Sequence, residues 1–389
     1  TIVTLHGIWT LGGSVAPLDL RWTRRERERA LEVLRPTHLL DEPVTVSRAI
    51  PHRPDPEACR QMGPGEEVAR LLTSGTSGRP RGVRLSFQNL EANAQASRER
   101  LALGPSDRWL ASLSPSHVGG LALVCRAALL GSALVSRGPF NVSSFIELAV
   151  SGTITHASLV PTMLHQVLDA WGDGGAPDTL RCLLIGGAHA PLALVRSALE
   201  GGFPISLTYG LTEAASQVAS APPDLVLEKP GTVGPPLPGV RVRIGDGNEL
   251  LIRGPTVALG EAGADGWLRT GDLARLDQDK HLWILGRKSD RIVTGGVNMD
   301  PAEVEEVLRT HPRVLEAVVV GVPDEEWGER VVAGVVRRRP EDDLIEELEG
   351  LVGSALSSPK RPRAVRFLER IPMNPNGKVD REAVRALFQ

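Results

Sequence analysis

The segment from 153 to 210 constrains the fold more than any other. TITHASLV (153–160), RCLLIGG (181–187) and PISLTYG (204–210) are short apolar runs of strand length. Between them lie PTMLHQVLDAW, with Pro161 at its start, and PLALVRSALEGG, which ends in glycines. Both read as helices, because proline suits a first helical turn and glycine suits a helix end. Strand, helix, strand, helix, strand implies a parallel sheet with right-handed crossovers. Ligands of such sheets bind beyond the carboxyl ends of the strands. Two of those ends carry polar, glycine-bearing loops, GGAHA at 186–190 and TYGLTEAASQ at 208–217.

The flanking regions read differently. Thr23 can cap a helix that ends before Pro36, and Ser86 can cap one through FQNLEANAQASRERL. VRVRIGDGNELLIRG is a hairpin candidate bending at Asp246-Gly247. Past Gly286 the texture changes. Asp300-Pro301-Ala302-Glu303 reads as a capping box with proline at the first helical position. EAVVVGV, RVVAGVVRR and a helix near 342–357 follow, which makes a small α+β unit. The expected boundary is Gly286–Ser289, dividing the chain into 1–286 and 287–389. With 389 residues, 41% of them apolar, the chain is long enough for two cores. The expected class is α/β: a large N-terminal domain of mixed sheets flanked by helices, and a small C-terminal one.

Charge and composition exclude several classes. A net charge of −3 gives no field that draws the protein to nucleic acid or to an anionic membrane. No apolar run approaches a membrane span, and TIVTLHGIWTLGG lacks the pattern of a secretory signal. Cys59, Cys125 and Cys182 have neither metal spacing nor a disulfide framework, so small buried residues in a reducing cytoplasm are expected. Lysine occurs only at 229, 280, 288, 360 and 378 in a chain otherwise rich in arginine, and Tyr209 is its only tyrosine. A retained lysine is therefore a candidate for chemistry.

LLTSGTSGRPRGVRLS, 71–86, concentrates glycines, hydroxyls and arginines. Glycines let backbone N–H groups converge, hydroxyls add donors and arginines add charge, which together suit a polyphosphate. A flexible surface loop has the same composition. The spacing is not that of a Walker loop, because Gly78 and Gly82 enclose three residues and Val83 follows.

TSGTSGRPRGV resembles the phosphate loop of the adenylate-forming superfamily of acyl-CoA synthetases, luciferases and nonribosomal adenylation domains. YGLTE at 209–213, RTGDLA at 269–274, GRKSDRIVTGGVNMDPAEVE at 286–305 and NPNGKVDR at 374–381 resemble its remaining signatures in order. The resemblance implies a two-step reaction. A carboxylate attacks the α-phosphate of ATP, releasing pyrophosphate, and the thiol of coenzyme A then displaces AMP. Bringing two anions together makes charge neutralisation and alignment the main tasks.

By this resemblance, Thr73, Ser74, Gly75, Thr76 and Arg81 hold the β- and γ-phosphates, and Ser77 and Gly78 belong to the same ATP-binding loop. Gly187, Tyr209 and Gly210 adjoin the nucleotide, and Thr212 donates to the α-phosphate. Glu213 holds Mg2+, Asp272 accepts the ribose hydroxyls, and Arg287 assists there. Lys378 bridges the acid and the α-phosphate. His117 gates the acyl site and assists thioester formation. Ser289 stands at the hinge, where relatives usually carry Asp or Lys, before a mobile C-terminal domain. Only 70 residues precede Leu71, so the first domain is expected to be shortened at its start.

SHVGGLALVCRAALLG, SLVPTMLHQVLDA, LLIGGAHAPLALV and TYGLTEAASQVAS look most like one branch, the o-succinylbenzoate–CoA ligases of menaquinone synthesis. That substrate has a second carboxylate. Arg126 is the candidate cation for it, with Gly186, Ser216 and Gln217 as further contacts; the alternative for Arg126 is an arginine reaching the surface. Other aryl- or acyl-CoA ligases and a weakly catalytic nucleotide binder stay open as readings. So does a homo-oligomer. The expected partners are a small acid, ATP with Mg2+, and CoA.

Overall fold

The computed structural model describes residues 2–40, 63–73, 81–172, 174–340, 343–373 and 379–389. Its centre is a six-stranded sheet in the order Ala133–Val135, Arg108–Leu110, His156–Leu159, Cys182–Ile185, Ile205–Leu211, Ser216–Ala221. Every neighbouring pair is parallel except the last, where Ser216–Ala221 returns antiparallel to Ile205–Leu211. The three expected strands and two crossover helices, Pro161–Trp171 and Leu192–Glu200, are all present. The first strand is shorter than its apolar run and begins at His156. Phe145, Ile154, Leu159, Leu164, Leu183, Ile185, Val195 and Ile205 fill the space between sheet and helices. Each such side chain contributes roughly 1.5–3 kcal/mol by leaving water.

Two antiparallel units attach to this sheet. One is the hairpin of Glu67–Thr73 and Arg81–Ser86, whose register sets Thr73 opposite Arg81. The other is a four-stranded sheet, Leu282–Arg287, Leu268–Leu276, Glu249–Arg253 and Arg241–Ile244, with the expected reversal at Asp246–Asn248. The helix Phe87–Leu101 is capped by Ser86, reciprocally with Asn89. Its buried Asn89 and Asn93 donate to the carbonyls of Pro255, Val257 and Gln217, tying these units together. Cys125 and Cys182 are buried free thiols, and burial pushes both up to about 12. Cys59 lies outside the described residues.

The C-terminal unit has its own five-stranded sheet, with Val314–Asp324 and Gly328–Arg337 as its long antiparallel pair. The helices Pro301–Arg309 and Ile345–Ala355 contribute Val304, Leu308, Leu348 and Val352 to its core. Between the four- and five-stranded sheets the chain makes a single turn, Lys288–Asp290. The expected capping box at 300–303 does not form. Asp300 does cap, accepting from the Ala302 amide at 3.0 Å, but the carboxylate of Glu303 takes the ammonium of Lys360 at 2.7 Å. A charged partner outcompetes a backbone amide for that carboxylate.

Asp300 is wedged against the end of the preceding sheet: a Cβ on Gly286 would lie 2.3 Å from its Oδ2. That oxygen has no hydrogen-bond partner among the described residues. Burial, helped by the charge of Glu305, pushes the Asp300 carboxyl up to about 6, against the pull of the Ala302 amide, Arg381 and Arg291. A carboxyl raised from about 3.9 in the unfolded chain stabilises the fold below that pH and loses the contribution as pH rises through 6. Asp300→Asn keeps a good cap and removes the titration. The variant should match the parent in melting temperature near pH 4 and exceed it by a few degrees at pH 7.5. A constant difference across that range would rule out this assignment.

Candidate active site

Three corners of the N-terminal domain meet the strands Ile205–Leu211 and Ser216–Ala221, one through Tyr209, one at the turn of Thr212 and Glu213, and one through Gln217. The first is built on Asp272, in the strand Leu268–Leu276 and directly across from Arg287. Asp272 is only 4% exposed. Its Oδ1 takes Nε of Arg287 at 2.8 Å, and its Oδ2 accepts the hydroxyl of Tyr209 at 2.6 Å. Burial, with the charge and hydrogen bond of Asp272, raises the Tyr209 phenol well above its ordinary value. Tyr209 is therefore a neutral donor. Each carboxylate oxygen still has capacity to accept, so the pair can take two adjacent hydroxyls.

The second corner is the reversal between Ile205–Leu211 and Ser216–Ala221. Thr212 and Glu213 sit on a single 3-10 turn, followed by Ala215 and Ser216 at φ 52° and 105°. The turn is this tight because Gly210 has no side chain: a Cβ there would lie 2.0 Å from the Ser216 carbonyl oxygen. Glu213 accepts from Arg81 Nη2 at 2.8 Å, while Arg81 Nη1 donates to both oxygens of Glu261 at 2.6 and 2.7 Å. Thr73, opposite Arg81 in the hairpin, has a buried hydroxyl with no partner among the described residues. Carboxylate oxygens beside an unpaired hydroxyl suit a hard cation and phosphate oxygens. Gly186 and Gly187 follow the strand Cys182–Ile185; Gly187 has φ 81°, and a Cβ on Gly186 would meet Thr208 at 2.6 Å.

The third corner contains His117 and Arg126. His117 stands at the N-terminus of the helix Val118–Leu130, with Nε2 3.4 Å from Asp19 Oδ2. Asp19 is clamped by Arg21, whose hydrogen bond holds its carboxyl well down, at about 2. Arg126, on the same helix, does not reach the surface; it is 3% exposed. Its guanidinium lies over Trp109 and donates to Gln217 Oε1 at 2.6 Å, while its Nε has no partner among the described residues. Burial draws Arg126 down to about 10, which leaves it charged at neutral pH. Gln217 completes the network by accepting from Ser97 at 2.5 Å and donating to Ser220 at 2.7 Å. Ser216 is buried beside it.

Ser289 lies in the turn Lys288–Asp290, its hydroxyl 3.2 Å from Asp290. Ser74, Gly75, Thr76, Ser77, Gly78 and Lys378 lie outside the described residues. Met373 pairs with Val379 on either side of 374–378. Asp19, Ser97, Trp109 and Glu261 were not anticipated. For Ser97 a signal existed: Asn89, Asn93 and Ser97 recur every four residues, marking a polar helix face that is buried. Asp19 has a local partner in Arg21, but nothing local signals its approach to His117, nor that of Glu261 to Arg81, because those partners are distant in sequence.

Residues 1–260 match the family model described as AMP-binding enzyme, and residues 303–378 match its C-terminal domain. The chain is 33% identical to the 2-succinylbenzoate–CoA ligase of Bacillus pumilus, over 99% of this chain and 85% of that one. It resembles the o-succinylbenzoate CoA synthetase of Bacillus subtilis solved with its acyl-adenylate intermediate, at a TM-score of 0.86 and 30% identity, covering 99% and 85% of the two chains. The same synthetase with ATP and magnesium gives 0.83, with 29% identity over 98% and 86%. An amide bond synthetase from Marinactinospora thermotolerans gives 0.88, with 28% identity over 100% and 87%.

Proposed function

The chain belongs to the AMP-binding enzyme family, and on that premise we propose that it joins 2-succinylbenzoate to coenzyme A, using ATP, in menaquinone biosynthesis. It is an acid–thiol ligase that forms AMP and pyrophosphate. The observation that carries the nucleotide half is the buried Asp272 carboxylate, held by Tyr209 and Arg287 so that two hydroxyls can be accepted together. The likeness to curated ligases over nearly the whole chain supports the acid.

In the reaction, a carboxylate oxygen attacks the α-phosphorus and pyrophosphate leaves; the sulfur of CoA then attacks the acyl carbon and AMP leaves. Asp272 orients the ribose, and Gly187, Tyr209 and Gly210 border the nucleotide. Thr212 donates to the α-phosphate. Thr73, Ser74, Gly75, Thr76, Ser77, Gly78 and Arg81 hold the outer phosphates. Glu213, with its free carboxylate lone pairs, would hold Mg2+, which supplies charge neutralisation when bound. Lys378 brings the acid and the α-phosphate together as a flexible point charge with three donors. His117, Gly186, Ser216 and Gln217 surround the acid, and Arg126 supplies positive charge behind Gln217. Pre-positioned charges of this kind favour the anionic transition state over the bound substrate.

The proposal also covers the organisation of the chain. Residues 1–286 form the ATP- and acid-binding domain and 287–389 the cap that carries Lys378, reorienting about Ser289 between the two half-reactions. A cytoplasmic location agrees with the free thiols of Cys125 and Cys182. Among the described residues, no helix is long and apolar enough to cross a membrane.

The test is pyrophosphate release from MgATP with a panel of acids, namely o-succinylbenzoate, benzoate, a coumarate and short fatty acids, with and without CoA. Release selective for o-succinylbenzoate, with a CoA thioester as product, is expected. Selective release with another acid would move the substrate and keep the mechanism. The likeness to an amide bond synthetase favours a second reading, transfer to an amine, and an arm with an amine in place of CoA separates the two.

A further inference from the structure

Arg81 spends its donors unequally. Both hydrogen bonds from Nη1 go to Glu261, at 2.6 and 2.7 Å, and one from Nη2 goes to Glu213 at 2.8 Å. The side chain of Glu261 is only 12% exposed while that of Arg81 is 49% exposed, so water screens the pair from the arginine side only. The cluster of one arginine and two glutamates carries a net charge of −1, at a place assigned to polyphosphate. The charge of Glu213 has a use in the reaction, as the carboxylate for Mg2+. The charge of Glu261 has none: it opposes the phosphates and occupies the arginine they need. Among the described residues no backbone amide donates to its carboxylate, although its own amide closes a turn on the Ala258 carbonyl at 3.2 Å.

We propose that Glu261 is a positioning residue that competes with the β- and γ-phosphates for Arg81 and so loosens the enzyme's grip on ATP and on departing pyrophosphate. Binding that is equally strong for substrate, transition state and product does not raise turnover, and it slows product release. A resident carboxylate that retakes the guanidinium as pyrophosphate moves out lowers that barrier. The inference rests on the phosphate role of Arg81 given above.

Because AMP has no β- or γ-phosphate, it separates this role from a structural one. We would titrate the full chain with ATP in the presence of Mg2+, and separately with AMP, by calorimetry. Glu261→Gln is expected to tighten ATP about five- to tenfold, to leave AMP unchanged, and to slow pyrophosphate release in a single turnover. Glu261→Asp, which keeps the charge, is expected to return ATP affinity towards the parent value. Arg81→Ala should weaken ATP and spare AMP, and in that background Glu261→Gln should lose most of its effect. Unchanged or weakened ATP binding in Glu261→Gln, or parallel shifts in ATP and AMP, overturns the proposal while the phosphate role of Arg81 stands. If Arg81→Ala leaves ATP binding untouched, that role itself is wrong, and the Glu261 inference falls with it.

Discussion

Lys378→Ala should lower the rate of acyl-adenylate formation by about 10²–10³-fold, the usual loss when one pre-positioned charge is removed from an anionic transition state. Thioester formation from supplied acyl-adenylate should fall far less, because in that step no carboxylate anion has to approach the α-phosphate. Pyrophosphate release reports the first step, and CoA thioester formed from the synthetic adenylate reports the second. The split is informative because it separates a charge used in one half-reaction from a residue that holds the fold. If both steps fall together, Lys378 serves the architecture of the cap and the cation for adenylation must be sought elsewhere.

The largest effect on stability is expected at Gln217. Its amide accepts from Arg126 and Ser97 and donates to Ser220, all within the core. Gln217→Leu fits the volume but leaves the Arg126 guanidinium buried without that acceptor. Losing a buried hydrogen bond to a charged group in this way costs roughly 1.5–3 kcal/mol. A lower urea midpoint for the N-terminal transition would register it. The argument turns on the double variant. Arg126→Met with Gln217→Leu removes the buried charge together with its acceptor, so the share of the loss due to that charge should return, while the share due to the buried Ser97 hydroxyl should remain. If the double variant is as weak as the sum of the singles, the cost lies in packing around Trp109 and in the orphaned Ser97 hydroxyl, and not in the unpaired charge. A third substitution probes recognition. Arg126→Ala should impair use of o-succinylbenzoate more than of its analogue lacking the ring carboxylate.

The central sheet was legible because its signals are local. Apolar runs bounded by Pro161 and by the glycines at 186–187 and 201–202 fix strand and helix ends without reference to the rest of the chain. Tyr209, Thr212, Glu213 and Asp272 stood out because each lies in a contiguous motif; the structure bonds Tyr209 to Asp272 and sets Thr212 and Glu213 on the turn that follows the strand of Tyr209. The partners of these residues were not legible. Glu261 meets Arg81, and Asp19 meets His117, across long stretches of chain, and the meeting depends on how three sheets pack. The rarity of lysine pointed to Lys378, but the same reasoning points to Lys229, Lys288 and Lys360. The structure places those three in ion pairs with Asp279, Glu249 and Glu303. Scarcity of a residue type marks a need for that charge without distinguishing chemistry from architecture. The capping box failed for a related reason: the pattern at 300–303 is local, and Lys360, which overrode it, is not.

The reversal after Leu211 has a thermodynamic consequence. Leu211 and Ser216 face each other across the antiparallel pair, Gly210 lies against the Ser216 carbonyl, and the Glu213 carbonyl is fixed by the Ala258 amide at 2.9 Å. The segment that presents Thr212 and Glu213 therefore has little backbone freedom left to lose. Its conformational entropy is surrendered as the chain folds, before any nucleotide arrives. Association at this corner resembles docking on a fixed surface, with a small ordering penalty, and not the coupled folding of a loop around its ligand.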